Sequence, residues 1–292
     1  MMVSSLHPSY PPRGISSPLR PGFTKLANLP FSGKMSMWGI RGNAMRYLGM
    51  IYGLTCYLAG VASLILFILF ANGHIGDLLP AYASLGIDTP NTAPYPAPVL
   101  INIALIALFG IQHSGMARRG FKAILTRILP PALERSTYVL MTSVVILIMV
   151  EYWQPMPEHI WRVDNEMARI AINSVYYFGW VFSLAATYMI DHFHLMGLQQ
   201  SLQKTSNAQD KEFRTPMFYR FVRHPIQTGI LIALPATPDM TAGRALLAAG
   251  IATYILVGLM FEERDLIKEF GDTYREYKTR VPGLLPWFTR KP

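Results

Sequence analysis

The sequence predicts an all-α membrane protein. Its fold class is a multi-pass bundle of about six transmembrane helices, in which the fifth and sixth spans form a C-terminal hairpin followed by an interfacial helix. Three observations predict it. Of the 292 residues, 51% are hydrophobic and 15% charged, whereas an average soluble domain carries about 25% charged residues. The apolar residues are gathered into long runs, and about 20 such residues cross a bilayer. The Lys and Arg residues fall almost entirely between alternate runs, as cytoplasmic loops require.

The first 46 residues carry Pro8, Pro11, Pro12, Pro18 and Pro21 among serines, with no apolar period. That composition predicts a disordered tail, and it lacks the short apolar core of a cleavable signal peptide. The membrane domain is expected over 47–292. Its first four spans are Tyr47–Ala71, Pro98–Ser114, Thr137–Val150 and Ile170–Ile190. Pro225–Pro235 is short and bounded by prolines, which predicts a shallow or bent fifth span. Ala242–Phe261, with Arg244 near its start, is the sixth. With a cytoplasmic N-terminus, this order places 23 of the 26 Lys and Arg inside; only Arg162, Arg169 and Arg244 lie outside. Both termini are then cytoplasmic, in what is expected to be a bacterial cytoplasmic membrane. The net charge of +9 is a topology signal accompanied by anionic lipid contact, and no nucleic-acid partner is expected.

Ionisable groups at the borders of spans are costly and mark functional positions by default. Most collect in one inner layer: Gln112 and His113 after the second span, Asp191, His192 and His194 after the fourth, Arg223 and His224 before the fifth, and Glu262 to Asp265 after the sixth. Such residues also solvate helix ends, so each one singly reads either way. Several chemistries are excluded. Cys56 is the only cysteine, which leaves no internal disulfide and no CxxC metal site. His192 and His194 do not share a helical face, and there is no HExxH, so no metal is expected. No GxSxG elbow, P-loop or GxGxxG is present. The polar residues gather at one face rather than at the bilayer centre, which argues against a transporter.

The C-terminal block is the most specific. Arg223-His224-Pro225 with Gly229 is followed by Glu262-Glu263, Leu266, Gly271, Tyr274, Tyr277, Val281 and Pro282. These residues resemble the RHPxYxG and EExxLxxxxGxxYxxYxxxVP motifs of the isoprenylcysteine carboxyl methyltransferase superfamily of membrane methyltransferases. The stretches His113–Leu140, Asp191–Leu198 and Ala236–Gly243 resemble one branch of it, the bacterial methanethiol S-methyltransferases, with nurim-like membrane proteins as more distant relatives. One position departs: Gln227 stands where the superfamily has tyrosine.

The resemblance implies S-adenosyl-L-methionine as cofactor and methanethiol as substrate, with dimethyl sulfide as product. Arg223, His224, Pro225, Gly229, Glu262 and Glu263 are the cofactor-binding expectation. Carboxylates offset a sulfonium and an ammonium, Arg and His bind a carboxylate or ribose hydroxyl, and a glycine admits a ligand to the backbone. His113 and His192 are the catalytic expectation, because only a thiolate is a good nucleophile and a base must form it. His113 reads equally as a hydrogen bond between spans. Other acceptors for the same donor (a prenyl-cysteine carboxylate, a phospholipid amine or another thiol) stay open, as does a non-catalytic nurim-like role.

Overall fold

The computed structural model describes residues 37–90, 94–202 and 213–285. The expected tail through residue 36 lies outside the described residues. The chain is built almost wholly of helix. It runs through α1 (Met37–Ala71), α2 (Ile75–Leu78), α3 (Ala97–Met116), α4 (Arg119–Ile128), α5 (Glu134–Tyr152) and α6 (Glu166–Ile190). Then come α7 (His192–Leu195), α8 (Leu198–Ser201), α9 (Pro225–Ala233), α10 (Ala242–Phe270) and α11 (Asp272–Arg280). Five helical stretches are long and apolar enough to cross a membrane: Ala44–Ala71, Ala97–Met116, Pro131–Tyr152, Glu166–Ile190 and Ala242–Phe270. The protein is an all-α multi-pass membrane bundle. α1 begins at Met37, inside the stretch read from sequence as tail.

Helix starts follow their capping residues. The Asn165 side chain accepts from Ala168 N at 2.9 Å to begin α6, and Thr241 Oγ1 accepts from Arg244 N at 3.2 Å to begin α10, each satisfying an N–H that the helix cannot. Pro225 sits at the first position of α9, where its missing N–H costs nothing.

The spans are antiparallel in sequence, and side-chain contacts fix their two ends. At one end Tyr52 of α1 meets Thr137 of α5 (2.9 Å), and Arg118 beyond α3 meets Asp265 of α10 (3.7 Å). This is the basic end. At the opposite end Asn102 of α3, fully buried, donates to Gln154 O (2.7 Å) and accepts from Gln154 N (2.8 Å) just past α5. A short antiparallel pairing there joins β1 (His159–Arg162) to β2 (Asp239–Thr241), with Arg162 opposite Asp239. All three arginines of this end are answered by carboxylates. Arg169 forks onto Asp239 at 2.9 and 2.6 Å, Arg244 Nε reaches Asp88 at 2.7 Å, and Arg162 Nε stands 3.4 Å from Asp164.

The fifth segment explains how a short helix serves a crossing. α9 has nine residues, about 14 Å at 1.5 Å per residue, too little for a hydrocarbon core of about 30 Å. Yet His224, just before α9, contacts Glu263 near the end of α10, while Thr237, beyond α9, accepts from Arg244 at the start of α10. α9 and the irregular 234–241 segment together therefore cover the same depth as α10. A broken helix is tolerated at membrane depth only when protein covers it. α6 does so: Ser183 Oγ donates to Ile226 O, and Gly179 packs against Gly229. A Cβ on Gly179 would lie 2.5 Å from Gly229 O and 2.8 Å from Ala233 N. The core joins α1, α3, α5, α6, α9 and α10 through Phe67, Leu105, Ile146, Trp180, Ala233 and Leu247.

Gly179→Val should force α6 and α9 apart at a cost of about 1–3 kcal/mol or more, the range for overpacking. Thermal unfolding in detergent measures it. Gly258→Ala is the control: nothing lies near the Cβ position of that glycine in α10, so the substitution should not lower the midpoint.

Candidate active site at the basic end

Two motifs separated by some forty residues meet at the start of α9. Glu263 Oε1 accepts from Arg223 Nε (2.9 Å), Arg223 Nη2 (2.5 Å) and His224 Nε2 (3.2 Å), and Glu263 Oε2 faces Lys278 Nζ at 2.6 Å. Arg223 and Glu263 are largely buried, with side-chain exposures of 10% and 14%. Glycine at position 271, with φ of 58°, turns the chain from α10 into α11 and brings Lys278 back. The chain after α11 then lies across α9: Arg223 N donates to Pro282 O (2.9 Å), His224 N to Gly283 O (3.1 Å), and Thr228 Oγ1 to Leu284 O (2.8 Å). Arg223 Nη1 closes the loop on Val281 O at 2.5 Å. The Glu263 carboxylate thus holds three segments together.

Glu262, one residue earlier, points elsewhere, since neighbours on a helix stand about 100° apart. It is buried and close enough to act electrostatically on Tyr219, Tyr254 and Tyr274. Burial first, and the Glu262 charge next, push the Tyr219 phenol above its ordinary range. Tyr274 is 1% exposed and its hydroxyl has no hydrogen-bond partner among the described residues. Tyr277 donates to Tyr219 O, and Phe213 packs on Tyr274 and Tyr277. None of these tyrosines was singled out from sequence as a site residue. Their helical spacing in α11 reads equally as packing.

His113 opens onto the same region. Its ring stacks on Phe109 with centroids 5.2 Å apart and stands edge-on to Tyr254 at 6.3 Å. The Tyr138 hydroxyl lies 2.9 Å from both ring nitrogens. The Arg135 guanidinium sits 4.5 Å over the Tyr138 ring and donates to Leu195 O at 2.7 Å. Tyr254 meets Ser114 at 3.1 Å. Tyr254 therefore touches the His113 cluster on one side and feels Glu262 on the other.

Three of the expected site residues make packing, capping or hydrogen-bond contacts of their own. Gly229 is spent on the approach of α9 to α6: a Cβ there would meet Gly179 O and lie 2.5 Å from Ser183 Oγ. Pro225 is fully buried at the head of α9 and serves helix initiation. His192 is buried with both ring nitrogens engaged, Nδ1 with Thr187 at 2.8 Å and Nε2 with Tyr57 at 3.3 Å, and it stacks on Tyr188 at 4.3 Å. Among the described residues no contact ties it to His113 or His224. No group of metal-ligating side chains occurs among the described residues. Two clefts of about 250 Å³ each lie at the opposite end, around Arg244 and Asp239, away from this chemistry.

Glu263→Ala should strand a buried guanidinium and destabilise the fold by about 3–5 kcal/mol. Lys278→Ala, at a side chain 44% exposed, should cost under about 1 kcal/mol. Equal losses on thermal unfolding would contradict this geometry. Burial holds the His192 imidazole below its ordinary 6.5, against a smaller upward pull from Asp191. The unfolded chain therefore binds the extra proton below pH 6.5, so stability is lost as the pH falls through that value. His192→Asn should flatten this acid-side fall of the unfolding midpoint; an unaltered slope would assign it to other groups.

The chain is similar to known proteins over most of its length. The chain is 43% identical over 244 residues to the methanethiol S-methyltransferase of Mycobacterium tuberculosis, covering 83% of this chain and 97% of the relative. It is 41% identical over 239 residues to methanethiol S-methyltransferase 2 of Bradyrhizobium diazoefficiens, covering 81% and 89%. Nurim of Xenopus laevis is 27% identical over 202 residues, covering 63% and 70%. No family profile and no solved structure matches the chain. Identity of this extent, across nearly the full length of its relatives, places the chain in the methanethiol S-methyltransferase family of membrane methyltransferases.

Proposed function

We propose that the protein transfers a methyl group from S-adenosylmethionine to the sulfur of methanethiol, giving dimethyl sulfide, at the cytoplasmic face of a bacterial membrane. One observation carries the placement of the site: Arg223-His224 and Glu262-Glu263 converge at the basic end, beside the His113 cluster. The face follows from charge, since the basic end of a membrane bundle is the cytoplasmic one.

The residues present fit such a donor. Glu262 is a buried carboxylate within electrostatic reach of Tyr219, Tyr254 and Tyr274, and the faces of aromatic rings attract cations. The Tyr274 hydroxyl, buried and unpartnered among the described residues, offers a hydrogen bond to a polar ligand group. S-Adenosylmethionine, when bound, supplies an electrophilic methyl on a cationic sulfur. Glu263, fully engaged by Arg223, His224 and Lys278, acts as the frame of this pocket rather than as a ligand contact.

His113 is the base of this proposal and takes the thiol proton at a ring nitrogen. Tyr138 holds the imidazole in place, and Arg135 fixes Tyr138 from behind. The methanethiol sulfur exchanges its proton for a methyl and leaves as a neutral thioether. Opposite charges on thiolate and sulfonium cancel along the way, so a site screened from water favours the step. Phe109, Tyr138 and Tyr254 provide that screen.

Purified protein given methanethiol and the donor should release dimethyl sulfide, read by headspace gas chromatography. Donor binding without product would sink the acceptor assignment. His113→Ala should lower the rate by about 10²–10⁴, the usual worth of a general base, with donor affinity kept. Glu262→Gln should weaken donor binding roughly tenfold, the worth of about one charge-assisted hydrogen bond. Unchanged affinity in Glu262→Gln and in Tyr274→Phe would remove the pocket from this place.

A further inference from the structure

α4 is too short to cross a bilayer and has an unusually clean division of faces. Phe121, Ile124, Leu125 and Ile128 fall within about 100° of arc on a helix of 3.6 residues per turn, and Arg119, Lys122 and Arg127 point away from them. Leu125 packs against the cluster of Met116, Ala117, Tyr138 and Val139. The remainder of the apolar stripe is open to the outside to a rising degree: Phe121 is 40% exposed, Ile124 58% and Ile128 78%. α4 starts just after α3 ends, at the basic end where that span leaves the bilayer. An apolar stripe open on its outer side at that depth fits the boundary between headgroups and acyl chains.

The charges select the kind of lipid. In α11 the basic residues are neutralised locally: Arg275 by Asp272 and Arg280 by Glu276. In α10 Lys268 pairs with Asp265. α4 contains no acidic residue at all. Lys122 is the inward cation and stands 4.0 Å from Glu134. Arg119 and Arg127 are exposed, and no hydrogen bond or ion pair to either occurs among the described residues. Two unanswered guanidiniums flank an apolar stripe that faces lipid. Guanidinium forks match phosphate oxygens bidentately, and a basic interfacial helix draws added affinity from anionic headgroups.

We infer that α4 is an in-plane membrane anchor whose Arg119 and Arg127 take the headgroups of anionic phospholipids in the leaflet at the basic end. The inference stands apart from the methyl-transfer reading, because it concerns lipid contact and is tested without turnover.

The test uses the full chain in vesicles, with a fluorescent label on Ile128→Cys and, separately, on Ile124→Cys. Cys56, the native cysteine, is buried. Quenching is compared between brominated phosphatidylglycerol and brominated phosphatidylcholine at equal mole fraction. The expected relative association constant is about five in favour of phosphatidylglycerol, the equivalent of one surface cation. It should fall to about one in Arg119→Gln/Arg127→Gln and persist in Arg119→Lys/Arg127→Lys. Absence of quenching by either lipid would show that the stripe does not lie in the bilayer. Equal quenching by both, or selectivity surviving the Gln pair, would show that the arginines do not choose the lipid. Each of these results overturns the inference.

Discussion

A carboxylate near the end of a membrane span is costly unless its charge is answered in place. Glu263 is answered by two cations and a histidine drawn from two stretches of chain: Arg223 and His224 ahead of α9, and Lys278 in α11. That single group decides where α9 begins and how the chain after α10 returns. Without it the 281–284 segment would lose its reason to lie along Arg223 and His224, whose backbone N–H groups it satisfies. Those two N–H groups precede a proline-headed helix and have no helical acceptor. The ion network and the backbone pairing are therefore one device, and the pocket beside it inherits its shape from both.

The broken span depends on a second device at the opposite end. An irregular segment at membrane depth must have its polar groups taken up by protein. Thr237, Asp239 and Thr241 are taken up there by Arg244, Arg169 and Asp88. Midway, Gly179 and Gly229 let α6 cover α9 at backbone contact, where Ser183 supplies a further bond to Ile226 O. Close approach through small residues and interhelical hydrogen bonds hold helices together in lipid, where burying apolar surface against apolar solvent gains little. Asp88, in the connector between the first two spans, is one of the anchors of this span.

Much of this was legible in the sequence for a physical reason. Span number and polarity follow from hydrophobic length and from the segregation of Lys and Arg, and both are properties of composition along the chain. The five long spans are where the apolar runs put them, and the bent fifth segment shows in its two prolines. The meeting of Arg223 and His224 with Glu263 was legible only through motif resemblance, since nothing local tells a residue that its partner lies forty positions away. What escaped needed three dimensions. Gly229 as a ligand contact and Gly229 as a packing contact look identical in sequence; the packing on Gly179 and Ser183 is visible only in three dimensions. His192 carries the same imidazole as His113, but Thr187 and Tyr57 occupy both its nitrogens. Tyr138 and Tyr254 were hidden because a tyrosine in a helix is ordinary until its hydroxyl is seen to face a histidine or a serine.

The adjacent glutamates then acquire distinct meanings. Two carboxylates one residue apart on a helix cannot serve the same partner, since their side chains diverge by about 100°. Glu263 turns toward the basic groups of the frame, and Glu262 acts on Tyr219 and Tyr254; Tyr274 feels both carboxylates, Glu263 the more strongly. A charge already shared among Arg223, His224 and Lys278 has little left to offer a cationic ligand. Glu262 is buried within electrostatic reach of Tyr219, Tyr254 and Tyr274, and weak screening there strengthens the attraction of a buried carboxylate for a cation. Loss of donor binding on removing Glu263 would therefore report collapse of the frame as readily as loss of a contact. The discriminating position is Glu262. It lies at the point where the tyrosines, the His113 cluster and the end of α10 come together, and its substitution to glutamine keeps shape while removing charge. On the proposed reading, the frame and the ligand contact are two functions of a doubled acidic motif, separated by less than a third of a helical turn.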